Sequence, residues 1–96
     1  MSVPFKVDLS GKVAAITGGS GGLGRDMALA LAECGASVAI VGRTLAPAES
    51  VARTIRKSGG HALAVSCDIR NRLKLKTAAR RIEKYLGPID VLVNAA

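Results

Sequence analysis

The sequence predicts an α/β protein with a doubly wound parallel sheet, covered by helices on both faces. Two observations predict this fold. Short apolar runs alternate with longer segments in which apolar residues recur every three or four positions, as strands alternate with helices in such sheets. The connections are short, which implies right-handed crossovers between parallel strands. We expect four strands and three helices, with the strands in the spatial order 3-2-1-4.

The first strand is predicted over residues 12–17, an apolar run that glycines stop before it reaches a useful helical length. In the first helix, 23–34, apolar residues are spaced by three and four positions, and Gly35 supplies a C-terminal stop. The second strand is predicted over 37–41. The turn after it contains Thr44, which can cap the second helix.

The second helix is predicted to run to about residue 58, and Pro47 is tolerated in its first turn. A third strand over 61–67, a third helix over 71–86 and a fourth strand over 89–93 complete the order. The fourth strand would be an apolar open edge of the sheet. The third helix carries an apolar stripe formed by Leu75, Ala78, Ala79, Ile82 and Leu86.

Composition excludes several classes of protein. The chain has 96 residues, enough for one small domain, and 49% of them are hydrophobic, so it is not disordered by composition. No apolar run approaches the ~18 residues of a membrane span, and residues 1–12 lack the apolar region that a secretory signal needs. Cys34, Cys67 and the only histidine, His61, are too few for a metal site, and Cys67 is expected to be a buried structural thiol. A cytoplasmic protein is predicted.

The net charge of +7 is concentrated in one region. Residues 51–84 hold ten basic and two acidic side chains. Nucleic-acid phosphates or an acidic carrier protein could meet such a surface. Aromatic residues are only 2% of the chain and no nucleic-acid motif is present. We therefore interpret the seven basic residues between positions 70 and 84 as the solvated face of the third helix, whose apolar stripe is packed. No nucleic-acid partner is predicted.

A glycine-dense loop, residues 17–24, lies between the first strand and the first helix. Glycines let backbone N–H groups and a helix N-terminus approach a phosphate closely. Gly19, Gly21 and Gly24 fit G-x-G-x-x-G, whereas Gly18, Gly22 and Gly24 fit T-G-x-x-x-G-x-G, and either pattern suits a dinucleotide. A P-loop is excluded because Arg25 follows where lysine is required.

Four features in order carry a resemblance to a known family: segment 9–12 before the first strand, the loop 17–24, Asp68 after the third strand, and segment 90–96 (DVLVNAA). With them the chain resembles the short-chain dehydrogenase/reductase family from residue 9 onward. The family's usual ending is Asn-Asn-Ala-Gly, and here Ala95 occupies the second position.

The resemblance implies a Rossmann-like NAD(P)-binding domain, of which residues 11–96 supply the first four strands and three helices after a lead-in over residues 1–10. It implies an oxidoreductase that transfers hydride between a nicotinamide cofactor and a small-molecule alcohol or carbonyl substrate. The full-length protein would be a homo-oligomer. A non-catalytic dinucleotide-binding module, or an inactive truncated remnant, is the alternative.

The resemblance also implies roles for single residues. In the family the glycine loop binds the dinucleotide, the counterpart of Asp68 contacts the adenine, and that of Asn94 supports the sheet beside the cofactor. An aspartate after a strand also caps local turns, so that role stays open for Asp68. The cofactor-binding candidates are Thr17, Gly18, Ser20, Gly22, Leu23, Gly24, Arg43, Thr44, Asp68, Ile69, Asn94 and Ala95.

The end of the second strand predicts which dinucleotide binds. An acidic side chain there would bind the ribose 2′-OH and repel a 2′-phosphate, but the sequence has Gly42 followed by Arg43. Arg43 can bind a 2′-phosphate through charge-assisted hydrogen bonds, and Thr44 can add a donor. NADP(H) is preferred. NAD(H) stays the alternative, because relatives that prefer NADP often carry a second basic residue where this chain has Gly21.

No catalytic residue is predicted in this chain. The family takes its catalytic Tyr-x-x-x-Lys pair from beyond the fourth strand. Tyr85 is the only tyrosine, and Ile89 rather than lysine stands four residues on, so Tyr85 is expected to pack near Gly87 instead. We expect the chain to be a fragment of a protein of about 250 residues, by family resemblance and ordinary domain sizes.

Overall fold

The structure, a computed structural model, describes residues 7–19 and 21–95. Strands and helices alternate as predicted, and each boundary lies within two residues of its predicted position. The predicted lead-in falls partly outside the described residues, and Ser20 lies outside them. The strands are β1 (Val13–Thr17), β2 (Ser37–Gly42), β3 (Ala62–Ser66) and β4 (Val91–Asn94); the helices are α1 (Gly22–Glu33), α2 (Leu45–Lys57) and α3 (Arg72–Tyr85).

The described strands form one parallel sheet in the order β3-β2-β1-β4, which confirms the predicted order. In the register, Ala15 of β1 lies between Ala39 of β2 and Leu92 of β4. Leu92 is 70% exposed, so β4 presents apolar surface at its end of the sheet, as expected. The reversal of strand order between β1 and β4 creates a switch point, where ligands bind in open α/β sheets.

Two apolar clusters, one on each face, show that the sheet is doubly wound. On one face Ile16 and Ile40 pack with Ala28 of α1 and Val51 of α2. On the other face strand residues pack with Ala78 and Ile82 of α3. Small side chains recur in both clusters, which lets the helices approach the sheet closely.

An aspartate joins β4 to the beginning of β1. The N–H of Val13 donates to Asp90 Oδ2 at 2.9 Å, and the N–H of Asp90 donates to the Val13 carbonyl at 2.9 Å. The first peptide N–H of β1 thus receives a charged acceptor, which makes the stronger kind of hydrogen bond. The amino ends of the two strands are thereby fixed in register before the ladder itself begins.

Thr44 stands at the N-cap of α2, but the prediction that its side chain caps the helix is wrong. A cap side chain accepts from the second or third helical N–H, and the third helical residue is Pro47, which has no N–H. By contrast, Asn71 caps α3 by accepting from the Lys74 N–H at 3.1 Å.

The expected packing of α3 is also corrected. Ala78 and Ile82 are buried, but Leu75 is 41% and Leu73 is 77% exposed, because the helix contacts the sheet through its middle and not through its first turn. Tyr85 does not pack inward. It is 58% exposed, and the guanidinium of Arg81 and the ammonium of Lys84 each lie 5.5 Å from its ring centroid, a cation–π distance that keeps the ring at the surface.

None of the helices in the described part of the chain combines the length and the apolar character needed to cross a membrane.

The bond between Asp90 and Val13 can be tested by stability. We expect Asp90→Ala to lower the free energy of unfolding by about 1 kcal/mol, the usual net contribution of one hydrogen bond, and Asp90→Asn to lose less because it keeps an acceptor oxygen. Urea unfolding followed by circular dichroism measures both. Asp26→Ala, at an exposed position of α1, is the control; an equal loss in that variant would show that charge alone is responsible.

Candidate functional site

The glycine loop is shaped by glycines at the positions of the T-G-x-x-x-G-x-G pattern. Gly18 and Gly22 have φ of 73° and 54°, in the left-handed region that favours glycine. A Cβ on Gly24 would lie 2.2 Å from the carbonyl oxygen of Gly18, so α1 can begin this close to the loop only without a side chain there. Gly21 has extended backbone and nothing within 4 Å of a Cβ. The structure therefore favours this pattern over the one that includes Gly21.

Gly19 has a structural role that the sequence analysis did not assign. It is buried, and a Cβ there would lie 3.1 Å from Ile16 Cγ2 and 3.2 Å from Ile40 Cγ2. The loop therefore rests directly on the two isoleucines of the core. The only signal in the sequence was membership of the glycine-rich string, which does not separate this contact from the turn positions.

The N-terminus of α1 opens from this loop. Its N-cap is Gly21, which has no side chain to cap the helix, and its first turn contains no acidic residue. The first N–H groups of a helix have no intrahelical acceptor, and the helix dipole places partial positive charge there. Leu23 in this turn is 71% exposed. This end of α1 is therefore electrostatically suited to an anion.

Hydrogen bonds fix the carboxyl end of β1 to both neighbouring strands. The Gly18 N–H donates to the Val41 carbonyl at 2.9 Å, and the Ala95 N–H donates to the Thr17 carbonyl at 2.9 Å. Thr17 is nearly buried, and its hydroxyl donates to Asn94 Oδ1 at 3.0 Å. Asn94 thus connects β4 to β1 beside the glycine loop.

The end of β2 carries a cation and no acid. Gly42 is followed by the exposed side chains of Arg43 and Thr44, and the first turn of α2 contains no acidic residue. Two bonds from the end of β3 hold this turn. The Ser66 hydroxyl donates to the Arg43 carbonyl at 3.0 Å, and the Cys67 N–H donates to the Gly42 carbonyl at 2.9 Å.

Asp68 accepts hydrogen bonds from its own turn. Its Oδ1 accepts from the backbone N–H and from Nε of Arg70, both at 3.1 Å, and its Oδ2 accepts from Arg70 Nη2 at 3.3 Å. The side-chain bond from Arg70 lowers the pKa of Asp68 most, and with the backbone bond and the charges of Arg70 and Arg43 it brings this pKa to about 2. The local role that the sequence left open for Asp68 is therefore present.

The thiol beside Asp68 does not resemble a nucleophile. Burial, and then the charge of Asp68, raise the pKa of Cys67, whereas Lys74 lowers it slightly. The thiol is neutral at physiological pH, which agrees with the predicted structural role. Ile69 is half-buried and packs against the cluster on the α3 face.

All the described candidates lie along the carboxyl edge of the sheet, because parallel strands end on the same side. They follow the strands in the order of the sheet: Asp68 and Ile69 after β3, Arg43 and Thr44 after β2, Thr17 and Gly18 at the end of β1, Gly22, Leu23 and Gly24 at the start of α1, and Asn94 and Ala95 at the end of β4. The site therefore combines a helix N-terminus at the switch point with a cation after the adjacent strand, β2.

The close approach at Gly24 gives a stability prediction. Gly24→Ala is expected to lower the free energy of unfolding by about 1–3 kcal/mol, because the new methyl group overlaps the backbone of Gly18 and α1 must move outward. Gly21→Ala is the matched control, since its Cβ meets nothing within 4 Å. Chemical denaturation compares the two, and equal losses would show that the space around Gly24 is not limiting.

The pair formed by Asp68 and Arg70 gives a pH prediction. Because the folded chain lowers the pKa of Asp68, ionisation of this carboxyl favours the folded state above its ordinary value of 3.8, and this contribution is lost as the pH falls towards about 2. We expect Arg70→Ala to raise the pKa of Asp68 towards 3.8, measured by carbon NMR titration of the carboxyl. Arg72→Ala removes a charge four residues along the chain and leaves all three bonds from Arg70 to Asp68. A similar rise of the Asp68 pKa in that variant would contradict the assignment.

Comparisons with known proteins agree with this arrangement. The chain is 42% identical over 94 residues to the uncharacterized oxidoreductase UxuB of Bacillus subtilis, covering 98% of this chain and 34% of the relative. A crystal structure of a short-chain type dehydrogenase/reductase from Mycobacterium marinum superposes with a TM-score of 0.86 at 41% identity, covering 96% of this chain and 37% of that one.

A third similar protein was solved with a bound dinucleotide. It comes from Haemophilus influenza and has NAD bound, and it matches with a TM-score of 0.87 at 31% identity, over 90% of this chain and 31% of that one. The chain spans about a third of the length of the relatives that it matches. The model of the short chain dehydrogenase family matches residues 12–96. The chain therefore belongs to the short chain dehydrogenase family.

Proposed function

We propose that residues 11–96 form the cofactor-binding part of an NADP(H)-dependent oxidoreductase that transfers hydride between the nicotinamide and an alcohol or carbonyl substrate. The observation that carries the proposal is the glycine loop, which opens α1 at the switch point of the sheet with its N-terminus uncapped. When bound, the dinucleotide supplies the hydride chemistry. The protein's part is to bind and orient it.

The residues present fit a dinucleotide pyrophosphate. A Cβ on Gly21 or Gly22 would meet nothing within 4 Å, so the outer side of the loop has room for phosphate oxygens to approach the backbone. The N–H groups at the start of α1 supply donors, and the fourth helical residue, Arg25, adds a positive charge to a turn without acids. We assign this turn to the pyrophosphate.

The preference for NADP(H) rests on the turn after β2. No carboxylate stands at Gly42 to repel a 2′-phosphate, and the exposed guanidinium of Arg43 can bind one. The N-terminus of α2 is adjacent to Arg43. The Thr44 side chain makes no capping hydrogen bond there, and the first turn of the helix contains no acidic residue. The NAD bound to a similar protein keeps NAD(H) as the alternative for this chain.

Acid–base catalysis is not assigned to this chain. Tyr85 lies at the C-terminal end of α3, which runs back from the carboxyl edge, and its ring is beside Arg81 and Lys84. The alcohol or carbonyl substrate, the homo-oligomer and the cytoplasmic location stay predictions. They rest on the family resemblance and on the composition of the chain.

A pair of cofactors tests the proposal. We expect Arg43→Ala to weaken NADPH binding roughly 10- to 100-fold, the effect of losing a hydrogen bond between charged groups, and to change NADH binding less than about twofold. Fluorescence titration of each reduced cofactor measures both dissociation constants.

Arg53→Ala is the control for that comparison, since Arg53 is an exposed cation further along α2. Equal weakening of both cofactors by Arg43→Ala would remove the 2′-phosphate assignment but leave a dinucleotide site. The absence of any binding of either cofactor to the folded parent protein would overturn the proposed function itself.

A further inference from the structure

We infer that Ser66 is a positioning residue for cofactor selectivity, which holds the Arg43 turn in place through a hydrogen bond to the Arg43 carbonyl. The inference rests on the proposed function, because it concerns the residue assigned to the 2′-phosphate. It adds a residue on another strand, 23 positions away in sequence, which does not itself bind the phosphate.

Two hydrogen bonds from the end of β3 hold the turn after β2. Ser66 is the last residue of β3 and lies opposite Gly42 in the register with β2. The Cys67 N–H donates to the Gly42 carbonyl at 2.9 Å, and the Ser66 hydroxyl donates to the next carbonyl, that of Arg43, at 3.0 Å. The backbone bond continues the ladder between the strands, whereas the hydroxyl bond reaches one residue beyond the end of β2.

The bond to the carbonyl also determines the direction of the next N–H. In a trans peptide the C=O and the following N–H point in opposite directions, so fixing the Arg43 carbonyl fixes the Thr44 N–H as well. Thr44 is the N-cap of α2, and its own side chain makes no capping bond that would hold this residue. The hydroxyl of Ser66 therefore stabilises the orientation of the Thr44 N–H and of the backbone that carries the Arg43 side chain.

A loosened turn would give the Arg43 side chain a competing partner. The positive charge of Arg43 is the smallest of the causes that lower the pKa of Asp68, which places the guanidinium within electrostatic range of this carboxylate. Arg70 already donates two side-chain hydrogen bonds to Asp68. While the Ser66 bond holds the turn, the Arg43 guanidinium stays available to a ligand. Without the Ser66 bond, Arg43 can move towards the carboxylate and away from a 2′-phosphate.

The other role that Ser66 could have is direct contact with a ligand. Its side chain is exposed, and it lines a groove of about 600 Å³ between α2 and α3, together with Leu45, Leu73 and Lys74. A direct contact with the shared adenosine part would affect NADPH and NADH alike. A positioning role through Arg43 affects only the cofactor that carries the 2′-phosphate, so the two roles give different results.

The experiment compares three serine variants by fluorescence titration with NADPH and NADH. We expect Ser66→Ala to weaken NADPH binding about three- to tenfold, the effect of one neutral hydrogen bond, with less than a twofold change for NADH. Ser66→Thr retains a hydroxyl and should restore most of the selectivity. Ser58→Ala is the matched control, because the Ser58 hydroxyl also donates to a backbone carbonyl, that of Thr54 at 3.3 Å, on the exposed end of α2.

A double variant separates this inference from the proposed function. If Ser66 acts through Arg43, then Ser66→Ala adds no loss of selectivity to a chain that already carries Arg43→Ala. Unchanged NADPH binding in Ser66→Ala, or equal weakening of both cofactors, overturns the inference while a selective effect of Arg43→Ala leaves the proposed function standing. Failure of Arg43→Ala to discriminate overturns the cofactor preference and the inference with it. Circular dichroism of each variant verifies that the fold is retained.

Discussion

The contact between α1 and the glycine loop is the constraint on which the site depends. Only a residue without a Cβ can stand at Gly24, because the Gly18 carbonyl oxygen would lie 2.2 Å from that atom. This contact sets where α1 begins and places its N-terminus over the carboxyl end of β1. Gly19 packs against Ile16 and Ile40, so the loop lies directly on the core.

Polar bonds at the two ends of β1 keep that edge aligned. Asp90 binds the first peptide of β1, and the Thr17 hydroxyl binds Asn94 at the other end of the same pair of strands. Parallel ladders are slightly less stable per residue than antiparallel ones, so these additional bonds help to define the register of the short β4. As a result, the loop after β1 and the segment after β4 stay in contact at the switch point.

Electrostatics then divides the edge into distinct regions. The uncapped start of α1 and the turn with Arg43 both favour anions, whereas Asp68 lies beyond them with its carboxylate engaged by Arg70. The low pKa of Asp68 keeps this group charged throughout the physiological range. Arg70 partly offsets the negative charge of Asp68, so less of that charge acts on the Arg43 turn. The proposed selectivity for a phosphorylated ribose would therefore depend on the geometry of the Arg43 turn as well as on the number of charges.

The sequence by itself determined the order of elements, the strand order and the placement of the candidate residues at one edge, because periodicity, glycines and crossover handedness are local or topological rules. It could not determine the packing of α3, where Leu75 is exposed although its spacing predicts a buried stripe. Nor could it show that α2 begins at Leu45, which makes Pro47 the third helical residue and leaves no N–H there for the Thr44 side chain. It also could not show that the Ser66 hydroxyl donates to the Arg43 carbonyl. These outcomes depend on which groups meet in space, and only the tertiary structure brings together atoms from distant parts of the chain.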